Sequence, residues 1–336
     1  MKKVSLKDIA RKVGVSPSTV SFVLNGKAQQ MRISEDLAQK IISVAREDGY
    51  HPNQVAVSLR TGQSKTLALI VENIANSFFA SLAKIIEDEA RAVGYRIIYC
   101  STENDPARAS EIIQHLSRQQ IDGYIITPAV QMEDDILRLL GQNKPVVLLD
   151  RYLPNLDIPF VMVDNYAGIS LGVDHLVQRG HRHIGFVTVN LDMVQMKERE
   201  VSFSESATRH GLASAPVLTL GYGATREASI DALMQFIQAH PEVEALFFAT
   251  NYLGIFGIEA LGQLGKSIPG DMAVLSFDDD ELFRLYPPGI TSIRQPIAEI
   301  AQQAIHLLLD QLGGRTDNCS RTGFKLPASL VLRNST

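Results

Sequence analysis

Cysteine is nearly absent: Cys100 and Cys319 are the only two in 336 residues. They lie too far apart for a metal motif and fit reduced thiols in a cytoplasm. No apolar run approaches the roughly 20 residues needed to span a bilayer, so no membrane partner is expected. The opening stretch "MKKVSLKDIARKVGV" is charged throughout and lacks the apolar region of a signal peptide, which again points to a cytoplasmic protein. The chain has no GxGxxG and no GxxxxGK[ST], and its GxSxG, "GISLG" at 168–172, falls inside an expected helix and makes no nucleophile elbow, so neither nucleotide cradling nor a serine nucleophile has support. His181 and His183 in "GHRHIGF" flank a strand and read as loop and lobe-surface residues, not as a metal site. An enzyme is therefore not expected, and neither is a cofactor or a metal.

What is present is a soluble globular composition, 45% hydrophobic and 21% charged. The length exceeds what one compact core supports and implies two or three domains. Charge is unevenly distributed. Residues 1–62 hold ten Lys and Arg against five Asp and Glu, a charge of +5; the whole chain carries −5, so residues 63–336 carry −10. A basic arm on an acidic body implies that the arm meets a polyanion.

The arm has helix punctuation at close intervals. Ser5 can cap a helix with Asp8 three residues on, Leu6, Ile9, Ala10 and Val13 follow at helical spacing, and Gly14 suits the left-handed position after the end. Ser16 caps a second helix with Pro17 at its first position; Val20, Val23 and Leu24 form its inward stripe and Asn25-Gly26 ends it. A third helix is expected from Ser34 to Gly49, with Glu35 and Asp36 in its first turn. Two short helices joined by a tight turn and braced by a third make a helix-turn-helix unit, whose second helix enters the major groove. Pro17, Ser18, Ser21 and Phe22 then form a DNA-reading face. Phe22 there either makes apolar contact with a base, such as a thymine methyl, or folds back against Ile33 or the third helix. Beyond it, "HPNQVAVSLR" holds Val55, Ala56 and Leu59 on one side of one or two helical turns, too short to be stable alone. Such a segment suits folding on DNA, with a leucine wedged into the minor groove.

From about residue 66 strands alternate with helices. "TLALIV", "YRIIYC", "GYIITP" and "PVVLLD" form one series, and "HIGFVTV", "PVLTL", "ALFFAT" and "MAVLSFD" a second. Helices are expected at 78–93, around 112–120, at 133–142, 167–179, 194–210, 226–239 and 253–264. Such alternation calls for parallel sheets covered on both faces, here two Rossmann-like lobes with a ligand cleft at the carboxyl ends of the strands.

The stretch "LKDIARKVGVSPSTVSFVLNG", followed by "GYHPNQVAVSLRTGQS", closely resembles the head and hinge of the lactose/galactose repressor (LacI/GalR) family, and the resemblance continues to the C-terminus. It implies a transcriptional regulator, a repressor by expectation, that binds a pseudo-palindromic double-stranded DNA operator as a homodimer and answers to a small-molecule effector, a sugar or sugar derivative. The implied architecture is an all-α helix-turn-helix head (1–50), a hinge (51–63) and an α/β periplasmic-binding-protein-like body (64–336). Its lobe 1 is expected at 64–163 and 293–325 and its lobe 2 at 164–292 and 326–336. Residues expected at DNA are Ser5 and Leu6; Ser16, Pro17, Ser18, Thr19, Ser21, Phe22 and Asn25; and, in the hinge, Asn53, Ala56 and Leu59, the last matching an intercalating leucine. Family effector positions fall on Phe78, Phe79, Asp150, Arg199, Tyr222, Asn251 and Asp278, with Arg199 as a bidentate donor. The chain departs from the family pattern at Tyr252, Ser202, Met193 and Met196, which implies a bulkier and less acidic cleft. A leucine-heptad tetramerisation tail is missing after "LPASLVLRNST", so a dimer is expected, joined through the 107–120 helix and the second lobe. The remaining rival, a periplasmic-type solute-binding protein, shares the body but has neither this head nor a leaderless start.

Overall fold

The computed structural model describes residues 4–50, 62–314 and 323–336. The hinge positions Asn53, Ala56 and Leu59, and also Cys319, lie outside the described residues. The chain forms two units, Met1–Ser64 and Lys65–Thr336.

Among its described residues the first unit contains three helices, α1 (Leu6–Val13), α2 (Pro17–Leu24) and α3 (Glu35–Glu47). Ser5 and Asp8 close a reciprocal capping box: the Ser5 amide donates to Asp8 Oδ2 at 3.0 Å and the Asp8 amide to Ser5 Oγ at 3.4 Å. Gly14 takes φ +82°, and its amide and that of Val15 both donate to the Ala10 carbonyl, which ends α1 in one residue. Ser16 Oγ accepts from the Thr19 amide at 3.1 Å, with Pro17 opening the new helix. Ser34 occupies the expected cap position of α3, but its side chain makes no capping bond there; Glu35 and Asp36 set negative charge against that helix end instead. Ile9, Val20, Val23 and Ile41 are the centre of a small core. Among the described residues Leu6, Leu24, Ile33 and Leu37 pack on it half-buried, whereas Phe22, equally half-buried, does not.

Among its described residues the second unit contains twelve strands in two sheets. The first sheet has β1 (Thr66–Val71), β2 (Arg96–Ser101), β3 (Gly123–Ile126), β4 (Val146–Leu149), β5 (Phe160–Val163) and β11 (Gly323–Leu326), in the order β11-β5-β4-β3-β1-β2. The second has β6 (Ile184–Asn190), β7 (Val217–Gly221), β8 (Ala245–Phe248), β9 (Ala273–Phe277), β10 (Thr291–Arg294) and β12 (Ser329–Val331), in the order β12-β10-β9-β8-β6-β7. All pairs are parallel except β10 with β12. Central strands such as Val146–Leu149 and Ala245–Phe248 are buried along their whole length, as continuous apolar runs covered by helices on both faces must be.

The chain passes between lobes three times: after Val163, after Arg294 and after Leu326. Ile293 and Arg294 pair with β9 and β12, so the second crossing lies beyond position 293, and Leu326 still pairs with Val163 in the first sheet. The second crossing is clamped by Asp279, which accepts from Arg294 Nη2 at 2.6 Å, Arg333 Nη1 at 2.7 Å and Ser292 Oγ at 2.6 Å. A helix at Ile297–Leu312, unmarked in the sequence reading, then packs against the helix Ser77–Ala92 and strands β3, β4 and β5. Expected helix ends shift where caps decide them. The helix expected around 112–120 runs from Pro106 to Ser117, because Asp105 Oδ1 accepts the Arg108 amide at 3.0 Å. The one expected from 167 begins at Asn165, because Asp164 Oδ1 accepts the Ala167 amide at 2.9 Å. Among the described residues no helix is long and apolar enough to cross a membrane, and no group of three His, Cys, Asp or Glu is placed to hold a metal ion.

Close packing of helix on sheet depends on Gly257 in the helix Asn251–Gln263. A Cβ there would stand 2.0 Å from Phe248 Cζ, whereas one at Gly262 of the same helix would meet nothing within 4 Å. Alanine gains up to about 1 kcal/mol over glycine in a helix interior, while overpacking costs about 1–3 kcal/mol. Gly257→Ala is therefore expected to lower the melting temperature of the body and Gly262→Ala to raise or hold it. Equal shifts in a thermal melt would show that the Phe248 contact imposes no constraint.

Candidate functional site

The carboxyl ends of both sheets converge on one cavity. Glu72 follows β1, Asp150 and Arg151 follow β4, and Leu191 follows β6; Asn251, Asp278 and Gln295 follow β8, β9 and β10. This is the crevice that open α/β sheets use for ligands. All seven residues assigned from the sequence to the effector site line it: Phe78, Phe79, Asp150, Arg199, Tyr222, Asn251 and Asp278. The cavity measures about 60 Å³ and adjoins a wider one of about 590 Å³ on the same cleft.

Two arginines and their carboxylates set the electrostatics. Arg151, 1% exposed, pairs through Nη2 with Glu72, donates from Nε to Asp150 Oδ2 at 3.3 Å and from Nη1 to Asn104 Oδ1 at 3.0 Å. Burial opposes the charge on Arg151, but Glu72 and Asp150 outweigh it and raise its pKa. Arg199 lies over the Phe277 ring at 3.7 Å and donates from Nε to Asn165 Oδ1 at 2.8 Å and from Nη1 to the Ala249 carbonyl at 2.6 Å. Its Nη1 stands 4.0 Å from Asp278 Oδ2. Arg199 was expected to offer a bidentate fork to the ligand, but Nε and Nη1 are committed to the protein, which makes it a strut of the cleft as well as a lining group.

Asp150 and Asp278 occupy equivalent places in the two lobes, each ending a central strand with positive φ, +69° and +67°. Residues other than glycine rarely sit there, although aspartate tolerates it better than most. Burial pushes both carboxyls up, against the pull of Arg151 and Arg199 on Asp150 and of Arg199 on Asp278. Gln295 Nε2 donates to Asp278 Oδ1 at 2.6 Å. The buried Oε1 atoms of Gln195 and Gln295 line the cavity without a hydrogen-bond partner, and leaving such a group unpaired costs about 1–3 kcal/mol. The cleft therefore holds polar groups whose bonding a hydroxylated ligand would complete.

The remaining assignments divide. Phe78 and Phe79 meet edge-on at 5.0 Å and are buried, so they pack the helix entry as well as line the cavity. Tyr222 reaches across the cleft and donates to Glu72 Oε1 at 3.2 Å. Among the departures from the family pattern, Tyr252 and Met196 line the cavity, with burial and then Glu72 pushing the Tyr252 hydroxyl up to about 12. Met193 is buried and does not line it; Ser202, fully buried, donates to the Tyr166 carbonyl at 2.7 Å. Glu72, Arg151, Gln195 and Gln295 were missed from sequence. "LLDR" contained a signal, since a second charge beside Asp150 at a strand end needs a partner, but Glu72 is 79 residues away.

In the head unit, Pro17 and Ser18 are exposed and Ser21 and Phe22 half-buried on α2. Ser16 and Thr19 share a 2.8 Å hydroxyl contact, and Asn25 Nδ2 donates to the Ser21 carbonyl at 2.5 Å. Ser5 serves its capping box, and Leu6 leans on the core.

Residues 5–53 match the profile described as bacterial regulatory proteins, lacI family, and residues 173–336 that of a periplasmic binding protein-like domain. The ribose operon repressor of Halalkalibacterium halodurans is 27% identical over 332 residues, covering 99% of this chain and 97% of the relative. The transcriptional regulator PtxS of Pseudomonas putida is 29% identical, covering 99% of this chain and 96% of its own length. A lac repressor dimer solved with operator and the anti-inducer ONPF superposes with a TM-score of 0.88 at 24% identity, over 100% of this chain and 99% of that one. With a helix-turn-helix head, a two-lobed periplasmic-binding-like body and relatives that are transcriptional regulators along their whole length, the chain belongs to the LacI family of DNA-binding transcription repressors, whose body is a ligand-binding domain.

Proposed function

We propose that this repressor is a cytoplasmic homodimer that binds a pseudo-palindromic operator and releases or tightens its hold when a sugar or sugar derivative fills the cleft. The observation that carries the effector half is the convergence of Asp150, Arg151, Arg199 and Asp278 from both lobes on one cavity. A ligand bonded to both lobes favours the closed arrangement by its differential affinity, and the lobe angle sets the spacing of the two heads. Heads one helical turn apart match the half-sites of such an operator. Ser5, Leu6, Ser16, Pro17, Ser18, Thr19, Ser21, Phe22 and Asn25 would meet DNA, with Asn53, Ala56 and Leu59 contributed by the hinge. The dimer surface would include the helix Pro106–Ser117 beside the edge strand β2, where Tyr99 is 37% exposed. A periplasmic-type solute-binding role leaves the helix-turn-helix unit and its +5 charge without a task.

Binding to duplexes from the protein's own upstream region, titrated against salt and followed by fluorescence anisotropy, tests this reading. Affinity should fall steeply and linearly in a log–log plot against salt as phosphate contacts release counterions. A cognate sugar should change it by about 5–150-fold, the usual range of allosteric coupling. Binding that ignores both salt and every sugar would sink the proposal.

A further inference from the structure

We propose that the inner cavity of the cleft seats a protonated primary amine on a short arm, and that the effector carries one. The inference rests on the cleft being the effector site; an amino sugar is the member of the proposed ligand class that meets it. Three observations carry it.

The first is the inventory of acceptors. Gln195 and Gln295, each 4% exposed, line the inner cavity with a buried Oε1 that has no hydrogen-bond partner. The orientation of Gln295 is fixed, because its Nε2 donates to Asp278 Oδ1 at 2.6 Å and leaves Oε1 as the unused acceptor. Glu72, Asp150 and Asp278 line the same space, and an ionised carboxylate only accepts. The guanidiniums are committed elsewhere: Arg151 donates to Asp150, Asn104 and Glu72, and Arg199 to Asn165 and the Ala249 carbonyl. A guest must therefore bring donors. An ammonium brings three N–H groups and no acceptor, whereas each hydroxyl brings lone pairs for which these walls have little use.

The second is charge. Three carboxylates line the inner cavity against two guanidiniums, and among the described residues no Lys or His joins them. Arg151 is shared between Glu72 and Asp150, and Arg199 stands 4.0 Å from Asp278, so one negative charge is left over. A buried charge is stable only when paired. Burial pushes the Asp150 and Asp278 carboxyls up, as befits a site that lacks one cation. The wider cavity deepens the imbalance. There Glu103 accepts from Asn73 Nδ2 at 3.0 Å and Asp280 from Ser77 Oγ at 2.7 Å, both neutral donors. Among the described residues no Lys or Arg lines that cavity, so the whole approach attracts cations and repels phosphates and carboxylates.

The third is size. A water needs about 10–15 Å³ of cavity, so the inner space of about 60 Å³ admits an aminomethyl-sized group and no ring. The body of the ligand then lies in the adjoining cavity of about 590 Å³, lined by Tyr222, Tyr252 and Phe256. Tyr222 and Tyr252 line the inner cavity too, and an aromatic face within about 6 Å of an ammonium adds attraction.

The test is calorimetric titration of the full-length protein at neutral pH. The probes are glucose and galactose, their 6-amino-6-deoxy forms, the N-acetyl derivatives of those amines, and 2-phenylethylamine. At least one amino sugar should bind about tenfold or more tighter than both its parent and its N-acetyl derivative, since charge-assisted hydrogen bonds are roughly twice as strong as neutral ones. Acetylation is the internal control, because it keeps the nitrogen and removes the charge. Glu72→Gln, which removes the surplus carboxylate, should bring amine and parent to within about threefold of each other. Should that variant fold poorly, the wild-type ratios decide by themselves. Parent or N-acetyl sugars that bind as tightly as every amine would overturn the ammonium seat and leave the carbohydrate reading intact. An amine preference undiminished by Glu72→Gln would overturn the charge that is held to select it. Binding of 2-phenylethylamine with silence from every sugar would keep the seat and remove the carbohydrate reading, and silence from all the probes would remove both.

Discussion

Arg151→Ala should destabilise the body by about 3–5 kcal/mol, the cost of breaking a buried ion pair by removing one partner. The side chain is 1% exposed, and its guanidinium holds Glu72, Asp150 and Asn104 together. Truncation leaves two carboxylates facing each other in a site that water barely enters. For a domain of this size each kcal/mol moves the melting temperature by about 2–4 °C, so the fall should approach 10 °C or more. The loss should also depend on pH. Burial already raises the folded-state pKa of Asp150 above its unfolded value, and Arg151 is the strongest group opposing that rise. Without Arg151 the folded pKa climbs further, so the folded variant binds a proton that the unfolded chain releases. Stability contributed in this way is present at low pH and is lost as pH rises through the folded pKa. Thermal melts should therefore show the deficit narrowing as pH is lowered from 8 toward 5. A deficit independent of pH would place its origin in lost packing, and an unchanged melting temperature would refute the role given to Arg151.

Phe22→Arg should exchange the base preference at one position of each half-site from A·T to G·C. The phenyl ring would offer apolar contact to a thymine methyl, whereas a guanidinium would donate two bonds to guanine, a bidentate pairing worth about 1–3 kcal/mol of discrimination. The swap removes one and adds the other, and a dimer counts it twice. The structure makes the experiment clean, because Phe22 is half-buried on α2 without joining the head core, so its replacement leaves that core filled. Selection from a randomised duplex library reads the preference directly, with Phe22→Ala expected to lose the old one and gain none. An unaltered selected sequence would show that the ring turns away from the bases.

The head was legible because its signals are local. Ser5, Gly14, Ser16 and Pro17 each dictate backbone geometry within four residues, and the helix ends fall where they do for that reason. The parallel sheets were legible from runs such as "TLALIV" and "ALFFAT". Helix starts were read several residues late where a cap such as Asp105 lay among other polar residues. In the cleft, residues at strand ends could be assigned, because the topology sends every strand end to one place. What joins them could not: Tyr222 to Glu72 spans 150 positions and Arg199 to the Ala249 carbonyl 50, and no periodicity encodes such pairs. Ser202 shows the converse, since its departure from the family pattern marks a buried helix contact and not the cleft.

The threefold crossing between lobes has a consequence for synthesis. The first lobe is left unfinished at Val163, and the helix Ile297–Leu312 and strand β11 that complete it begin 134 and 160 residues later (297 − 163 and 323 − 163). At ~5–20 residues per second, a ribosome takes roughly 10–30 s to deliver them. Throughout that interval the face that Ile300, Ile305 and Leu308 will cover is bare, and the second lobe is emerging beside it. The head can close around Ile9 and Ile41 almost at once, but the body matures only as its last segment leaves the ribosome. A nascent chain of this repressor is thus a closed helical head trailing an unsealed body, with an apolar face that stays open until Ile297–Leu312 arrives.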